Sequence, residues 1–324
     1  MYAVVIDRPG GPEVLTWQDV PEVMPGPTEV VIEVTAAGVN RADVMQRRGL
    51  YPPPPGAPEY PGLECAGRIV EVGPAVDGWQ VGDAVCALLP GGGYAERVAV
   101  EASLLLPIPD GVSVVEAAGL VEVAATVYSN LVDFAGLGRG DTVLVHGGSG
   151  GIGTFAIQWA TAVGATVYTT ARRENADLLR RLGASAVIDY REDDFSAEIA
   201  RLTTGEGVDV ILDHIGGSYL DRNVNSLAKD GRLAVIGLQG GRRTELDLSA
   251  LMARRGRITV TGLRSRPLAQ RAAVLAGVRR NMWPLVESGA IRPIVAQRFA
   301  MADAADAHTM MDKGGYVGKI ILTV

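Results

Sequence analysis

Residues 141–171 read DTVLVHGGSGGIGTFAIQWATAVGATVYTTA, and their order of elements decides the fold. Thr142 to Val145 are a short apolar run suited to a buried parallel strand. Ile152, Ala156, Trp159, Ala160 and Val163 then recur at helical spacing, and Ala165 to Tyr168 begin a second apolar strand. Between the first strand and the helix, Gly148, Gly150 and Gly153 form GxGxxG, flanked by Gly147 and Gly151. A glycine turn lets the backbone approach a pyrophosphate closely, and the unpaired N–H groups of the helix N-terminus then face the anion. A glycine turn alone is a weak signal. Set in a strand–turn–helix–strand frame, it predicts a dinucleotide site at Gly147, Ser149, Gly150, Gly151, Ile152 and Gly153.

The end of the second strand distinguishes the dinucleotides, because an acid there would accept hydrogen bonds from the ribose of NAD and repel a 2′-phosphate. This strand runs out through Thr170 and Ala171 into Arg172 and Arg173, two guanidinium groups suited to a phosphate. The pattern favours NADPH, with Glu174 as a countervailing charge.

Working outward, the first third of the chain consists of short strand-like segments such as 1–6, 29–36 and 67–72, broken by Gly, Pro and Asp. From 142 to 235 strands alternate with helices, with 208–212 and 232–235 as later strands, which implies a parallel sheet covered on both faces. A strand at 257–263, a helix-rich piece at 267–289 and a last strand at 319–324 complete the pattern. The fold class expected is α/β: a β-rich catalytic domain at 1–122, a doubly wound Rossmann domain at 123–265, and a return to the catalytic domain at 266–324.

Composition narrows the function classes. A chain of 324 residues suffices for two cores. A net charge of −7 disfavours nucleic acid and anionic membranes as partners. No apolar run approaches membrane-spanning length and no signal peptide is apparent, so a cytoplasmic protein is expected. Cys65 and Cys86, the only cysteines, provide no disulfide framework and read as buried thiols.

Three stretches, AAGVNRADVMQRRGLYPPPPGAPEYPGLECAGRIVEVG at 36–73, LLPGGGYAERVAV at 88–100 and the HGGSGGIG turn, together resemble the medium-chain dehydrogenase/reductase superfamily. Within it the chain is similar to the zinc-independent, zeta-crystallin-like quinone oxidoreductases, most of all those of the p53-inducible type. The similarity extends through 211–241 and LRSR at 263–266. It implies a GroES-like catalytic lobe, a Rossmann lobe binding NADPH, and a homodimer joined through Rossmann edge strands, for which 257–263 is the candidate. Such pairing would cover an exposed sheet edge.

Zinc alcohol dehydrogenases of this superfamily carry a Cys after the Gly-Val pair and a His before the next Glu. Here those positions are Asn40 and Leu63, which do not replace thiolate and imidazole. His146, His214 and His308 are scattered and read as structural. No zinc is expected. A quinone suits such a site, because its reduced anion has a proton affinity like that of tyrosine, with a pKa of roughly 10, and water can protonate it.

The resemblance places Asn40 and Tyr51 beside the nicotinamide, in an interdomain cleft where hydride passes to a flat, electron-poor acceptor; both are the catalytic candidates. Asp43 is expected to cap the short helix after Asn40. Further cofactor contacts carried over by motif are Thr126, Thr170, Tyr190, Ile215, Gly216, Gly217, Gly237, Leu238, Gly240, Leu263, Arg264, Ser265 and Lys319. One departure is that Arg172 and Asn175 stand where many relatives place a Ser and a Lys around the 2′-phosphate. The leading expectation is NADPH-dependent quinone reduction, with ortho-quinones as the finer expectation. An enone or enoyl reductase and a non-catalytic NADPH-binding protein are the alternatives.

Overall fold

The computed structural model describes all 324 residues, which form two compact units. The first comprises Met1–Ala125, Leu263–Glu287 and Pro293–Val324; the second comprises Thr126–Gly262 and Ser288–Arg292.

The first unit is built on strands β1 (Tyr2–Ile6), β2 (Leu15–Asp19), β3 (Glu29–Gly38), β4 (Glu64–Val72), β5 (Ala84–Leu88), β6 (Arg97–Glu101) and β7 (Leu105–Pro107). Helices α1 (Arg41–Arg47) and α2 (Val114–Ala117) accompany them, and α3 (Val121–Val127) carries the chain into the second unit. The centre is β3, ten residues long, whose Val30, Val31, Ile32, Val34, Ala36 and Ala37 are all buried. It pairs antiparallel with β4 along one side and with β6 along part of the other.

The second unit carries a six-stranded, wholly parallel sheet. Its strands are β8 (Thr142–Val145), β9 (Thr166–Ala171), β10 (Ala186–Asp189), β11 (Val208–Asp213), β12 (Leu227–Val235) and β13 (Arg257–Val260), in the order β10-β9-β8-β11-β12-β13. Its helices are α4 (Gly151–Val163), α5 (Ala176–Arg181), α6 (Phe195–Leu202), α7 (Leu220–Ser226) and α8 (Leu248–Arg254). Strand order reverses between β8 and β11, and ligands of open α/β sheets bind at such a switch point. Leu144, Ile188, Phe195, Ile199, Ile211 and Leu233 are core residues of this unit.

The chain then returns to the first unit through α9 (Leu268–Asn281), α10 (Trp283–Glu287), β14 (Val295–Ala300), α11 (Ala304–Lys313) and β15 (Lys319–Thr323). Strand β15 pairs antiparallel with the Ala36–Gly38 end of β3 and brings Lys319 into the first unit's core.

Three features differ from the sequence reading. The first unit ends at Ala125 rather than 122 because α3 runs unbroken through the boundary, so no change in composition marks it. Ser288–Arg292 sit with the second unit, not with the returning chain. Gln158 of α4 accepts from Arg292 N at 2.9 Å and donates to Arg292 O at 3.1 Å. Strand β9 runs out to Ala171 as the sequence indicates, with Thr169 Oγ1 donating to Val145 O at 2.7 Å. Strand β13, in turn, stops at Val260, short of residue 263.

Candidate functional site

The glycine turn leaves β8 at its carboxyl end and enters α4. Gly147 has φ +68°, and a Cβ there would lie 2.1 Å from His214 Nε2. A Cβ on Gly153 would lie 2.3 Å from Gly147 O and 2.7 Å from Gly148 Cα, so this glycine lets the helix close onto the turn. Gly150, the N-cap of α4, is different: a Cβ would meet only Gly147 O, at 3.5 Å. The first backbone bond into the helix is Thr154 N to Gly150 O, so the amides of Gly151, Ile152 and Gly153 lie in the turn that has no intrahelical acceptor. Open space at Gly150 over these donors fits a pyrophosphate.

Thr170 supports the turn from β9: its Oγ1 accepts from Gly147 N at 3.1 Å, while its carbonyl accepts from Gly148 N at 3.0 Å. His146 also meets Thr170 Oγ1, at 3.1 Å, and its other ring nitrogen meets Asn223 Oδ1 at 2.8 Å. Burial pushes this imidazole down to about 3, so it is neutral. Thr170 was expected to touch the cofactor. Its side chain is buried and braces the turn.

Arg172 and Tyr190 leave adjacent strands and meet, Arg172 Nε donating to Tyr190 OH at 3.3 Å. Arg173 is largely exposed, 3.6 Å from Asp189, and Glu174 stands 3.9 Å from Arg172. Asn175 is 8% exposed and its Nδ2 has no hydrogen-bond partner. A buried donor without an acceptor beside two arginines suits an anionic ligand group.

The loops after β11 and β12 are bound to each other. Gly217 N donates to Gly241 O at 2.8 Å and Gly240 N to Ile215 O at 2.7 Å, bringing Ile215–Gly217 and Gly237–Gly240 together. Asp213 holds them to the sheet, accepting from Ile215 N at 2.6 Å, Gly216 N at 3.0 Å and Asn223 Nδ2 at 3.1 Å. Burial pushes its carboxyl up to about 6, against these three bonds. The sequence reading missed Asp213. The Asp-x-x-Gly spacing in DHIGG is the local signal for such a turn. Leu238 is exposed on its loop, and Thr126 is buried at the start of the second unit.

In the first unit, Asn40, Glu64 and Lys319 form a buried cluster. Lys319 Nζ donates to Val39 O at 3.0 Å, Asn40 Oδ1 at 2.7 Å and Glu64 Oε1 at 2.7 Å. Asn40 Nδ2 donates to Glu64 Oε1 at 3.0 Å, and Glu64 Oε2 accepts from Glu122 N in α3 at 3.0 Å. Lys319 was expected to contact the cofactor, but its three ammonium donors are taken within the protein. Asn40 is likewise engaged at both ends of its carboxamide and acts here as a brace. Glu64, fully buried, was missed as a site residue.

The short helix α1 carries three buried polar struts, Asp43, Gln46 and Arg47. Asp43 accepts from Asn40 N at 2.8 Å, reciprocating at the helix start from position N3. It also accepts from Gly62 N at 3.0 Å and Tyr94 OH at 3.2 Å, and burial pushes its carboxyl up to about 6. Half-buried Tyr51 follows α1, and burial raises its phenol above the usual range. Arg264, another expected cofactor contact, lies against Tyr51 with its nitrogens engaged by protein oxygens, while Ser265 is exposed and Leu263 half-buried.

Zinc does not fit these residues. The positions aligned with metal ligands hold an amide already engaged and an isobutyl group, with an ammonium 2.7 Å from that amide's oxygen. No group of three or more His, Cys, Asp and Glu side chains is placed to hold a metal. No helix is long and apolar enough to cross a membrane.

A parallel-sheet unit with a glycine-turn nucleotide site, joined to a β-rich unit, defines a class of two-unit oxidoreductases. Residues 26–110 match the family model described as alcohol dehydrogenase GroES-like domain, and residues 151–276 the one described as zinc-binding dehydrogenase. The chain is 34% identical over 315 residues to a quinone oxidoreductase of Pseudomonas aeruginosa, covering 97% of this chain and 96% of that one. It is 32% identical over 333 residues to a 2-haloacrylate reductase of a Burkholderia species, covering 99% and 98%. The Escherichia coli quinone oxidoreductase complexed with NADPH superposes with a TM-score of 0.90 at 29% identity, both chains covered in full. By contrast, the chain spans only 14% of the length of a phenolphthiocerol/phthiocerol polyketide synthase of Mycobacterium tuberculosis, to which it is 34% identical over 321 residues. The chain belongs to the medium-chain dehydrogenase/reductase superfamily and is a homologue of its quinone oxidoreductases.

Proposed function

We propose that this protein reduces quinones with NADPH and without zinc, ortho-quinones among them. The observation that carries this reading is the Asn40–Glu64–Lys319 cluster. Asn40, at one of the two positions where zinc-dependent members hold their metal, has its carboxamide taken up in it, so the site suits an acceptor whose reduced anion needs no Lewis acid. When bound, NADPH supplies a hydride to the acceptor. A quinone that takes it up becomes a hydroquinone anion, and a proton from water completes the hydroquinone.

The chain's own residues provide binding and orientation. The amides of Gly151, Ile152 and Gly153 meet the pyrophosphate, and Arg172, Arg173, Tyr190 and Asn175 meet the 2′-phosphate. Tyr51, kept protonated by burial, donates its hydroxyl to an acceptor oxygen. Asn40 fixes the backbone at the start of α1. Holding the acceptor in register with the hydride supplies much of the acceleration.

A second reading, reduction of activated alkenes, is favoured by the likeness to a 2-haloacrylate reductase. Hydride addition to the β-carbon leaves an enolate oxygen that Tyr51 would also serve. The two are separated by following NADPH and NADH oxidation by chelator-treated protein with a polycyclic ortho-quinone, a para-quinone and an α,β-unsaturated aldehyde. Preferential NADPH turnover with the quinones supports the main reading. Turnover confined to the aldehyde makes the protein an alkene reductase, and NADPH binding with no turnover makes it a binding protein.

The partner proposed is a second copy of this chain, paired along β13. That strand has β12 on one side only, and Val260, Leu248 and Met252 are 67%, 67% and 75% exposed. A monomer in sedimentation at micromolar concentration would exclude it.

A further inference from the structure

We propose that Arg264 is a positioning residue that fixes Tyr51 and, through its buried cation, favours flat acceptors whose oxygens become negative on reduction. The inference rests on the acceptor site proposed above.

Arg264 opens the segment that returns to the first unit, 218 residues from the Gln46 of α1 that it braces. It is 7% exposed, and its bonds are directional. Nε donates to Pro90 O at 2.6 Å, Nη1 to Tyr51 O at 3.3 Å and Nη2 to Gln46 Oε1 at 2.8 Å. Gln46 in turn donates from Nε2 to Glu59 O at 2.7 Å, so one guanidinium ties α1, both ends of the proline-rich 51–59 loop and the turn at Pro90. A Cβ on Gly91 would stand 3.3 Å from Nη2, so that glycine leaves room for the fork. The guanidinium carbon lies 5.2 Å from the Tyr51 ring centroid, within cation–π range.

All three bonds end on neutral oxygens. A buried cation is ordinarily matched by a carboxylate. The carboxylate of Asp43, which attracts this guanidinium, is instead bonded to Asn40 N, Gly62 N and Tyr94 OH. The positive charge is therefore left to act on what lies against Tyr51. It works against burial on the Tyr51 phenol, making that hydroxyl a stronger donor than its surroundings alone would. It also attracts negative charge that appears on an acceptor oxygen as two electrons arrive, an interaction absent from the neutral ground state and so expressed in kcat. A planar fork achieves both effects; lysine carries the charge without the three-way tie.

The test compares Arg264→Gln and Arg264→Lys with the unsubstituted protein. Two readouts are used: the Tyr51 phenol midpoint, from ultraviolet titration differenced against Tyr51→Phe, and kcat and KM for a para-quinone and for NADPH. The expected result for Arg264→Gln is a higher Tyr51 midpoint and a quinone kcat lower by about tenfold, with the KM for NADPH within about twofold. Arg264→Lys should restore part of the midpoint but leave the KM for quinone raised, because the loop is no longer tied. An unmoved midpoint with unchanged quinone kinetics overturns the proposal. A change confined to the KM for NADPH also overturns it and returns Arg264 to the cofactor. If the unsubstituted protein reduces no quinone or activated alkene, the proposed function fails, while the midpoint still decides whether Arg264 governs Tyr51.

Discussion

The glycine turn of the second unit and the Asn40–Glu64–Lys319 cluster of the first both prepare the chain for charge, by opposite means. The turn uses only backbone, over the consecutive residues 147–153. Its amides are left over by the geometry of a helix start, and its glycines keep side chains out of the way. The cluster uses two full charges and an amide from residues 40, 64 and 319, all buried, on segments brought together by the pairing of β3 with β4 and β15. The difference teaches what each site tolerates. A backbone cradle fails when something is added to it. A buried ion pair fails when one partner is removed, since the other charge is then stranded.

The largest effect expected follows from that contrast. Lys319→Met strands the Glu64 carboxylate and should cost about 3–5 kcal/mol in urea denaturation. The double variant Lys319→Met, Glu64→Gln should recover a good part of it. Equal losses in single and double variants would show that packing, not pairing, holds the cluster.

Within the turn, Gly153→Ala and Gly150→Ala separate fold from binding. The methyl at 153 meets backbone at 2.3 Å and should lower stability by about 1–3 kcal/mol, as other overpacked sites do. The methyl at 150 has room, so stability should hold while NADPH affinity drops in fluorescence titration. Unchanged affinity in Gly150→Ala would remove the pyrophosphate from this turn.

The smallest effect is expected at the solvent-facing end. Arg172 and Arg173 changed together to Ala should raise the KM for NADPH about tenfold, which is about 1.4 kcal/mol, and leave that for NADH nearly unchanged. An equal rise for both would sink the phosphate assignment.

Much of this was legible in the sequence because it is local. The parallel-sheet unit shows in the alternation of apolar strands and helices, and the turn in its glycine spacing. Arg172 and Arg173 follow a strand end that proves to lie beside Tyr190. The less legible parts were those in which a side chain's partner is distant. Lys319 and Arg264 were carried over as cofactor contacts by motif position alone. Nothing near them in sequence reveals the bonds they make to Glu64 and Gln46. The role of Thr170 in the turn was hidden for a related reason, since its hydroxyl serves Gly147 across 23 residues.

The sequence by itself determined the two-unit α/β architecture, the nucleotide turn and the replacement of metal ligands by Asn40 and Leu63. Each depends on periodicity or on which residue stands at one position. Tertiary structure decided which polar groups remain to meet a ligand. A side chain's hydrogen-bonding capacity is finite, and its use depends on neighbours that only folding supplies. The same chain therefore leaves Asn175 Nδ2 without a partner and spends every donor of Lys319 on itself.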